Sequence, residues 1–356
     1  MIDQRGSTES TLAKQPSRTK AWIRQLVSCG PAVAVAGSHP WSLFEPWCSP
    51  FLPHATTLVV VFLVWNLAGR HWRTSGVLGL VGLLGIWSWA KALPPTAPAF
   101  APPSEEQVIS AGFANLGINP APVLGTPTVL QDWFGDQPLD LLGVVECSSS
   151  QVEHIGSWQR WHSVHAEPDD LSANGIALFS MFPIRSIEID RTPNARLDHL
   201  TAVVDGPTGT FQVEITHPCP PVPGWLHQRQ AELDHISDSA MTSDWPILVL
   251  GDLNETPFGE GWRGLLKTSG LNTLGPLSTP TWPSQLKGLP LPAWIGIRID
   301  HILVGPGWGA GPIEVGPRIQ SDHRPIRADV WLKPPKREIM GAELEQNPPK
   351  SVVSGP

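Results

Sequence analysis

The stretch Pro246-Ile-Leu-Val-Leu-Gly-Asp-Leu-Asn254 combines a strand-like apolar run with polar residues at its end. An apolar run ends at a glycine and is followed at once by Asp252 and Asn254. Because side chains two positions apart lie on one face of a strand, the carboxylate and the carboxamide leave the strand together. Such a pair can orient a water molecule and hold a metal-bound oxygen. The alternative is an ordinary strand-end turn, in which glycine, aspartate and asparagine are common.

Three further segments place acids or histidines in or beside apolar strands. Leu139–Glu146 closes with an acid, which suits either a metal ligand or the start of a helix. Asp300 lies inside the apolar run 298–304, where a charge needs a partner. The triplet Ser321-Asp322-His323 supplies a hard oxygen ligand and an imidazole that can act as acid, base or phosphate donor. We therefore predict that Asp300 orients the imidazole of His323.

Short apolar runs recur between turn signals and predict a domain with a sizeable sheet. The runs are 107–111, 139–145, 175–180, 200–204, 211–215, 246–250, 298–304 and 325–331. Helical periodicity is clearest at 227–238 and 261–269. Because helical patterns are fewer than strands, the sequence predicts a mixed α/β domain with much antiparallel pairing.

Taken in order, these motifs resemble the endonuclease/exonuclease/phosphatase superfamily, which has a deoxyribonuclease-I-like fold. The chain is most similar to a membrane-anchored branch, in which Thr-His-Pro and then Gly-Asp-x-Asn-x-Thr-Pro follow apolar helices. Here the motifs are Thr216-His217-Pro218 and Gly251–Pro257. The resemblance covers 105–333. It implies an α/β four-layer sandwich of two mixed, largely antiparallel β-sheets flanked by helices and preceded by N-terminal transmembrane helices.

The resemblance also implies a phosphoesterase that uses Mg²⁺ or Mn²⁺ for in-line attack of water on a phosphate ester. The implied metal ligands are Asn115, Glu146 and Asp322. Asn119 is an alternative to Asn115 in the same loop. The implied catalytic residues are His217, Asp252, Asn254, Asp300 and His323. Asp252 would orient or deprotonate the water, and Asn254 would fix the water or the phosphate. The two histidines would donate to phosphoryl oxygens, with Asp300 setting the tautomer of His323.

Two apolar stretches near the N-terminus, Phe51–Gly69 and Thr74–Leu93, are each long enough to cross a bilayer. The short cationic connector Arg70–Arg73 predicts a helical hairpin with a cytoplasmic turn. A buried hairpin of a soluble protein is the alternative. Residues 22–44 are apolar but interrupted by charge and proline, and are either a third span or a cleaved signal-like segment. Both possibilities predict that the following domain lies on the non-cytoplasmic side.

Composition divides the chain into five parts. They are a basic N-terminal tail 1–21, a membrane anchor 22–93, a proline-rich linker 94–104, the catalytic domain 105–333 and a disordered tail 334–356. The chain has 24 Lys and Arg against 32 Asp and Glu, and its formal net charge is −8. The excess of basic residues lies in the N-terminal part, as expected beside membrane spans. The acidic remainder repels polyanions such as duplex DNA.

These features predict a multi-pass membrane protein whose partners are the lipid bilayer and a phosphate-ester substrate, with no obligate protein partner evident. The acidic domain and the absence of tyrosine from the chain favour a lipid head group or a small phosphodiester over nucleic acid. A nuclease and a non-catalytic binding module on the same fold are the alternatives. Cys147 and Cys219 are interpreted as free buried thiols, with a disulfide as the alternative in an exported domain.

Overall fold

The computed structural model describes the helices and strands that surround the predicted site. The residues described are 27, 30–38, 44–69, 72–92, 104, 107–117, 125–135, 138–159, 161–190, 198–275 and 279–333. The predicted N-terminal and C-terminal tails, almost all of the proline-rich linker and Asn119 lie outside these residues.

Two six-stranded sheets form the body of the protein. The strands are β1 (Ile109–Asn115), β2 (Leu141–Val145), β3 (Ser163–Glu167), β4 (Ile176–Ser180), β5 (Ile184–Asp190), β6 (His199–Gly206), β7 (Gly209–Thr216), β8 (Ile247–Asp252), β9 (Asn272–Thr273), β10 (Gln285–Leu286), β11 (Leu289–Pro290), β12 (Asp300–Val304), β13 (Trp308–Val315) and β14 (Ile326–Leu332). The first sheet has the order β13-β14-β1-β2-β4-β3, and the second has β5-β6-β7-β8-β12-β9. Each sheet contains one parallel pair, β1 with β2 and β7 with β8, and antiparallel neighbours elsewhere. β10 and β11 form a separate hairpin.

The two large sheets pack face to face over one apolar core. Phe211 from the second sheet meets Trp308 from the first edge to face, with ring centroids 5.2 Å apart. Leu248 and Leu250 of β8 belong to the same core. Since alternate side chains share a face, Asp252 leaves the end of β8 on the core side. The packing of the sheets therefore directs this carboxylate toward the gap between them.

Helices cover the outer faces of the sandwich and precede it. They are α1 (Leu52–Ala68), α2 (Trp72–Ala92), α3 (Gly125–Gly135), α4 (Ser149–Gly156), α5 (Leu226–Thr242) and α6 (Glu260–Ser269). α4 begins at a capping box between Ser148 and Gln151. α3 and α4 pack on the first sheet, and α5 and α6 pack on the second. The predicted α/β fold of two mixed sheets flanked by helices is confirmed.

α1 and α2 pack against each other through small residues on α2. A Cβ on Gly82 would lie 3.5 Å from Val59, and one on Gly85 would collide with Thr56, so both glycines permit close approach. Among the described residues one helical stretch, Ser49–Ala68, is long and apolar enough to cross a membrane by length and composition. α2 contains a shorter apolar stretch, Thr74–Ser88. The prediction of two or three spans is thus supported for one helix only.

The strands that the sequence did not reveal are the edges of the two sheets. Each of the eight predicted runs overlaps a strand, although the first run was placed about two residues early, at 107–111 instead of Ile109–Asn115. β3 and β13 are the edges of the first sheet, and β5 and β9 are the edges of the second. Edge strands have one unpaired side and one exposed face, so their sequences mix polar and apolar residues. Such sequences lack the continuous apolar run of an interior strand.

Cys147 and Cys219 are both buried, and no disulfide joins them. The disulfide alternative is therefore wrong, and the simpler interpretation is confirmed. Burial raises the pKa of Cys147 to about 12, which makes its thiol unreactive. The thiol of Cys219 instead lies 3.6 Å from the Glu232 carboxylate.

Candidate active site

A pocket of about 680 Å³ contains most of the predicted site residues. Six of them line it, namely Glu146, His217, Asp252, Asn254, Asp322 and His323. The other two, Asn115 and Asp300, are fully buried and hydrogen bond to lining residues. Side chains spread over two hundred positions of the chain thus meet at one place.

The order and direction of the strands explain why these residues meet. Asn115 ends β1, and Glu146 directly follows the parallel neighbour β2. Asp252 ends β8 and is paired with Asp300, which begins the antiparallel strand β12. His217 directly follows β7, the parallel neighbour of β8. Because parallel neighbours end at the same edge of a sheet, their terminal residues gather there.

Asp252 is the centre of the polar network. Its Oδ2 lies 3.0 Å from Nδ2 of Asn115 and 3.6 Å from Nε2 of both His217 and His323. Its Oδ1 accepts the backbone N–H of Asn254 at 3.0 Å. Burial raises the pKa of Asp252 to about 6, although the neighbouring His323 acts in the opposite direction. A carboxylate with such a pKa is ionised at neutral pH and basic enough to take up a proton.

His323 and Asp300 form a buried pair. Nδ1 of His323 lies 3.0 Å from Oδ2 and 3.1 Å from Oδ1 of Asp300, so the contact predicted from the sequence is present. Burial lowers the pKa of His323, but Asp300 and then Asp252 outweigh burial and raise it to about 10. The imidazole is therefore protonated at neutral pH, and its Nε2 can donate a hydrogen bond.

Glu146 occupies a strained position beside Asn115. Its φ of 51° lies in the left-handed region, which residues other than glycine adopt rarely and often at functional sites. Oε1 of Glu146 lies 3.0 Å from Nδ2 of Asn115 and 3.6 Å from Nε2 of His217. The oxygen of the Asn115 carboxamide accepts the backbone N–H of Gly117 at 2.9 Å. Asn115 therefore turns its nitrogen toward Glu146 and Asp252 and holds the two acids side by side.

Asn254 has the second left-handed backbone in the site, with a φ of 47°. Its Nδ2 donates to the carbonyl oxygen of Pro218 at 3.0 Å. Its own carbonyl oxygen accepts a hydrogen bond from Arg229, whose guanidinium also forms an ion pair with Glu255 at 2.5 Å. Arg229 was not predicted from the sequence, because nothing in helix α5 shows which loop it will contact. It fixes the turn that carries Asn254.

Asp322 is the most exposed acid of the site, with 49% of its side chain accessible. Its Oδ2 accepts the indole N–H of Trp282 at 2.8 Å, and its Oδ1 lies 4.0 Å from Nε2 of His323. Trp282 is a further lining residue that the sequence analysis did not identify.

The donor groups of the pocket fit a hard divalent cation. Mg²⁺ and Mn²⁺ prefer carboxylate oxygens, which Glu146 and Asp322 present at the pocket wall. Asn115 would offer an oxygen only with its carboxamide turned over, since its nitrogen now contacts the acids. Donor atoms of Asp252, Asp300 and His323 also lie within 4.8 Å of one another, but the last two already bond to each other.

Part of the pocket wall comes from a region that the sequence analysis assigned to the membrane anchor. Pro46, Pro50 and Phe51, which precede α1, line the same pocket as the catalytic candidates. Leu171, in the loop between β3 and β4, lines it as well. No local pattern indicates these contacts, because they depend on how distant segments pack.

The beginning of the α1–α2 hairpin packs on the sandwich beside the pocket. Nε2 of His54 lies 2.9 Å from the carbonyl oxygen of Trp294. Phe258, from the loop before α6, joins the apolar cluster that contains Leu52 and Val59 of α1. The first turn of α1 therefore lies next to the mouth of the pocket.

The chain is similar to a known protein family and to several solved structures. The sequence pattern of the Endonuclease/Exonuclease/phosphatase family matches residues 64–323. Similar solved structures include an endonuclease/exonuclease/phosphatase from Bacteroides vulgatus, with a TM-score of 0.53 and 17% identity over 64% of this chain and 99% of that chain. TDP2 of D. rerio, complexed with single strand DNA product, has a TM-score of 0.54 and 14% identity over 63% and 98%.

A functionally unknown conserved protein from Enterococcus faecalis V583 is also similar, with a TM-score of 0.51 and 16% identity over 63% of this chain and 100% of that chain. A comparison with curated proteins gave no match. At these identities the structural likenesses show a common fold.

Proposed function

Because the chain belongs to the endonuclease/exonuclease/phosphatase family and is thereby a metal-dependent phosphoric ester hydrolase, we propose that it is a membrane-anchored enzyme that hydrolyses the phosphate ester of a lipid. The catalytic part of the proposal depends on one observation. Oδ2 of Asp252 lies within 3.0 to 3.6 Å of the Asn115 amide and of two imidazole nitrogens in a single pocket.

Each residue of the site has a separate role in the in-line hydrolysis. Asp252 orients the attacking water and takes its proton, because it is ionised at neutral pH and is held by Asn115. His323 donates from Nε2 to a phosphoryl oxygen, and Asp300 keeps its Nδ1 protonated. His217 donates to another phosphoryl oxygen from Nε2, which lies 3.6 Å from both Glu146 and Asp252. A Mg²⁺ or Mn²⁺ ion, held by Glu146 and Asp322 with Asn115 beside them, would supply positive charge to the phosphoryl group.

The composition of the pocket wall supports a substrate with an apolar part. Phe51, Pro220 and Ile297 line it on the same pocket surface as the acids and histidines. Leu171 also lines it and has 93% of its surface exposed. An exposed leucine at the mouth of a polar site suits contact with an acyl chain or with the membrane surface.

Further apolar side chains are exposed around this mouth. Trp294, whose carbonyl contacts α1, is 75% exposed. Leu286 and Leu289, in the β10–β11 hairpin, are 61% and 71% exposed. Gln285 of that hairpin hydrogen bonds to the carbonyl of Ser321, next to the site. Together with the apolar helix that begins beside the pocket, these residues support a mouth that faces the bilayer.

The packing of the hairpin supports the predicted topology. A hairpin that crosses and returns has the beginning of α1 and the end of α2 on one side of the membrane. The contacts of Phe51 and His54 place the beginning of α1 on the sandwich side. We therefore propose two crossings within the anchor 22–93 and a non-cytoplasmic catalytic domain 105–333, with the linker 94–104 between them and tails at 1–21 and 334–356.

Hydrolysis by the full chain in detergent tests the catalytic proposal. We expect turnover of bis(p-nitrophenyl) phosphate with Mg²⁺ or Mn²⁺ and none after chelation. Asp252→Asn should lower kcat by about 10²- to 10⁴-fold, the usual contribution of a general base. Asp244→Asn, at an exposed position outside the pocket, is the control and should leave kcat unchanged. Full activity of Asp252→Asn would refute the assignment.

A variant at the pocket mouth tests the substrate class separately. Leu171→Ser should raise KM about 10- to 150-fold for phospholipid vesicles, because burying a leucine stabilises a complex by about 1.5 to 3 kcal/mol. Turnover of the soluble diester should stay the same. Met241→Ser, at an exposed apolar residue beyond the pocket, should change neither value. Equal effects of Leu171→Ser on both substrates would contradict a lipid substrate without touching the catalytic assignment.

A further inference from the structure

A second group of ionisable residues lies outside the pocket, between the second sheet and α5. His199 begins β6, Glu214 lies in β7 and His235 lies in α5. One donor atom from each of the three lies within 4.8 Å of the other two. The imidazole centroids of His199 and His235 are 5.0 Å apart, and Nδ1 of His199 is 3.8 Å from Oε1 of Glu214.

Glu214 has little to compensate for its burial. Its side chain is fully buried, and neither carboxylate oxygen meets ordinary hydrogen-bond geometry among the described residues, although the hydroxyl of Ser239 on α5 is close enough to act on it. Nε2 of His199 is buried and equally without a partner. A buried carboxylate without compensation is strongly destabilising, so native proteins pair such groups or let them coordinate metal. The group of His199, Glu214 and His235 therefore lacks a positive charge that would compensate the Glu214 carboxylate.

Each imidazole of the group is oriented through one nitrogen. Nδ1 of His199 lies 2.6 Å from the hydroxyl of Thr216, and Nδ1 of His235 lies 3.1 Å from Oδ2 of Asp190. Metal-binding histidines are commonly held in this way by a carboxylate or another polar group on the second nitrogen. In His235 the opposite nitrogen is then available to a cation, whereas in His199 the nitrogen beside Glu214 is Nδ1 itself, so a cation bound there would replace the contact with Thr216.

We propose that His199, Glu214 and His235 form a zinc site that is distinct from the catalytic pocket and ties β6, β7 and α5 together. Two imidazoles and one carboxylate are a ligand set that Zn²⁺ binds well, whereas Mg²⁺ prefers oxygen alone. The chain would then use two different metals.

The geometry fits tetrahedral zinc after a small adjustment. Bonds of about 2.1 Å place tetrahedral ligands roughly 3.4 Å apart, so the donor atoms must close by about 1.4 Å at most. Movement of the partly exposed His235 can supply this, since 29% of its side chain is accessible. The same exposure gives the ion a path from solvent, and a water molecule completes the coordination.

The site would act on the catalytic pocket through β7. Glu214 lies in that strand, Thr216 beside His199 is its last residue, and His217 follows into the pocket. Bound zinc would therefore fix the position from which His217 faces Asp252 and Glu146. Its role is structural, because none of its ligands lines the pocket.

Metal analysis of the full chain tests the proposal. The protein would be purified in mild detergent without a polyhistidine tag or chelator, and its metals measured by mass spectrometry. We expect on the order of one zinc per chain, lost in Glu214→Gln and His235→Gln. Asp190→Asn should keep the ligands but weaken zinc binding about 10- to 100-fold. Zn²⁺ added to the metal-free wild type should raise Tm by roughly 5 °C.

Two control variants test whether zinc binds at this site and not at another histidine or in the catalytic pocket. His227→Gln, at an exposed histidine of the same helix, should retain zinc, as should Asp252→Asn in the pocket. Cobalt in place of zinc should give the visible spectrum of a tetrahedral ion in the wild type and in both controls. The proposal is overturned if the wild type binds no zinc or cobalt, or if Glu214→Gln binds them as tightly as the wild type.

Discussion

Asp252 and Glu214 are buried carboxylates on neighbouring strands of the second sheet, yet they face opposite sides of it. Asp252 points into the gap between the sheets and contacts an amide and two imidazoles. Glu214 points toward α5, where the hydroxyl of Ser239 is its neighbour, and neither of its oxygens meets ordinary hydrogen-bond geometry among the described residues. Burial raises the pKa of both, to about 6 for Asp252 and about 8 for Glu214.

The difference shows that the charge of the neighbouring side chains sets the pKa of a buried acid. The imidazolium of His323 lowers the pKa of Asp252 and so keeps it close enough to neutrality for proton transfer. The imidazole that lies 3.8 Å from Glu214 gives no such help, because burial lowers the pKa of His199 to about 3 and leaves that ring uncharged. The same residue type is therefore suited to catalysis on one face of the sheet and to holding a cation on the other.

After the loss expected for Asp252→Asn, the largest effect should come from removing the negative charge beside His323. Asp300→Asn should lower kcat at pH 8 on the order of 10²-fold, because the imidazole loses the group that keeps Nδ1 protonated. The pKa of His323, raised to about 10 by Asp300 and Asp252 against the effect of burial, should fall. The alkaline limb of the pH–rate profile should therefore move to lower pH.

The pH dependence distinguishes positioning from folding. Asp329→Asn, at an exposed residue of β14, is the control and should keep the wild-type profile. A uniform loss of activity in Asp300→Asn, with no movement of the alkaline limb, would mean that Asp300 serves only the structure.

The position of Asp252 in a candidate site could be predicted from the sequence, whereas that of Glu214 could not. Asp252 ends a continuous apolar run, so its position was visible in the sequence itself. Glu214 lies inside the predicted strand 211–215 and is indistinguishable there from a polar residue that faces solvent. His199 lies one residue before the predicted strand 200–204. Only the packing of α5 brings His235 to them, and the spacing of residues along the chain does not show this.

Long-range packing also explains which residues around the pocket could not be predicted from the sequence. Interior strands such as β8 are apolar along their whole length and were found, whereas the polar edge strands β3 and β5 were not. The contact of His54 with Trp294 joins residues 240 positions apart and has no local signal. Long-range packing therefore decides the shape of the pocket, while local sequence decides its chemistry.

A second prediction concerns the pH dependence of stability in metal-free protein. The pKa of Glu214 is raised in the folded state to about 8 from an unfolded value of 4.5, so the folded protein holds a proton that the unfolded chain releases. Stability should therefore fall as pH rises from about 5 to 8 and change little above that. The contribution is at most about 5 kcal/mol and should vanish in Glu214→Gln.

Chemical denaturation at several pH values, with chelator present, measures this effect. Asp252 acts in the same direction between pH 4 and 6, so the informative quantity is the difference between wild type and Glu214→Gln. Saturating Zn²⁺ should reverse the loss in the wild type. Parallel pH curves for the two proteins would show that Glu214 titrates normally.

The smallest predicted effect is that of a substitution at Gly251, which precedes Asp252 in β8 and is paired with Thr216 of β7. A Cβ there would lie 2.6 Å from the carbonyl oxygen of Thr216, so β7 must shift to accommodate Gly251→Ala. Overpacking of this kind costs about 1 to 3 kcal/mol. Because Thr216 contacts His199 and precedes His217, the shift should weaken both zinc binding and catalysis.

Gly264→Ala, with open space around its Cβ in α6, should instead stabilise the protein by about 0.5 to 1 kcal/mol. Loss of activity in Gly251→Ala with unchanged zinc affinity would show that the two faces are independent.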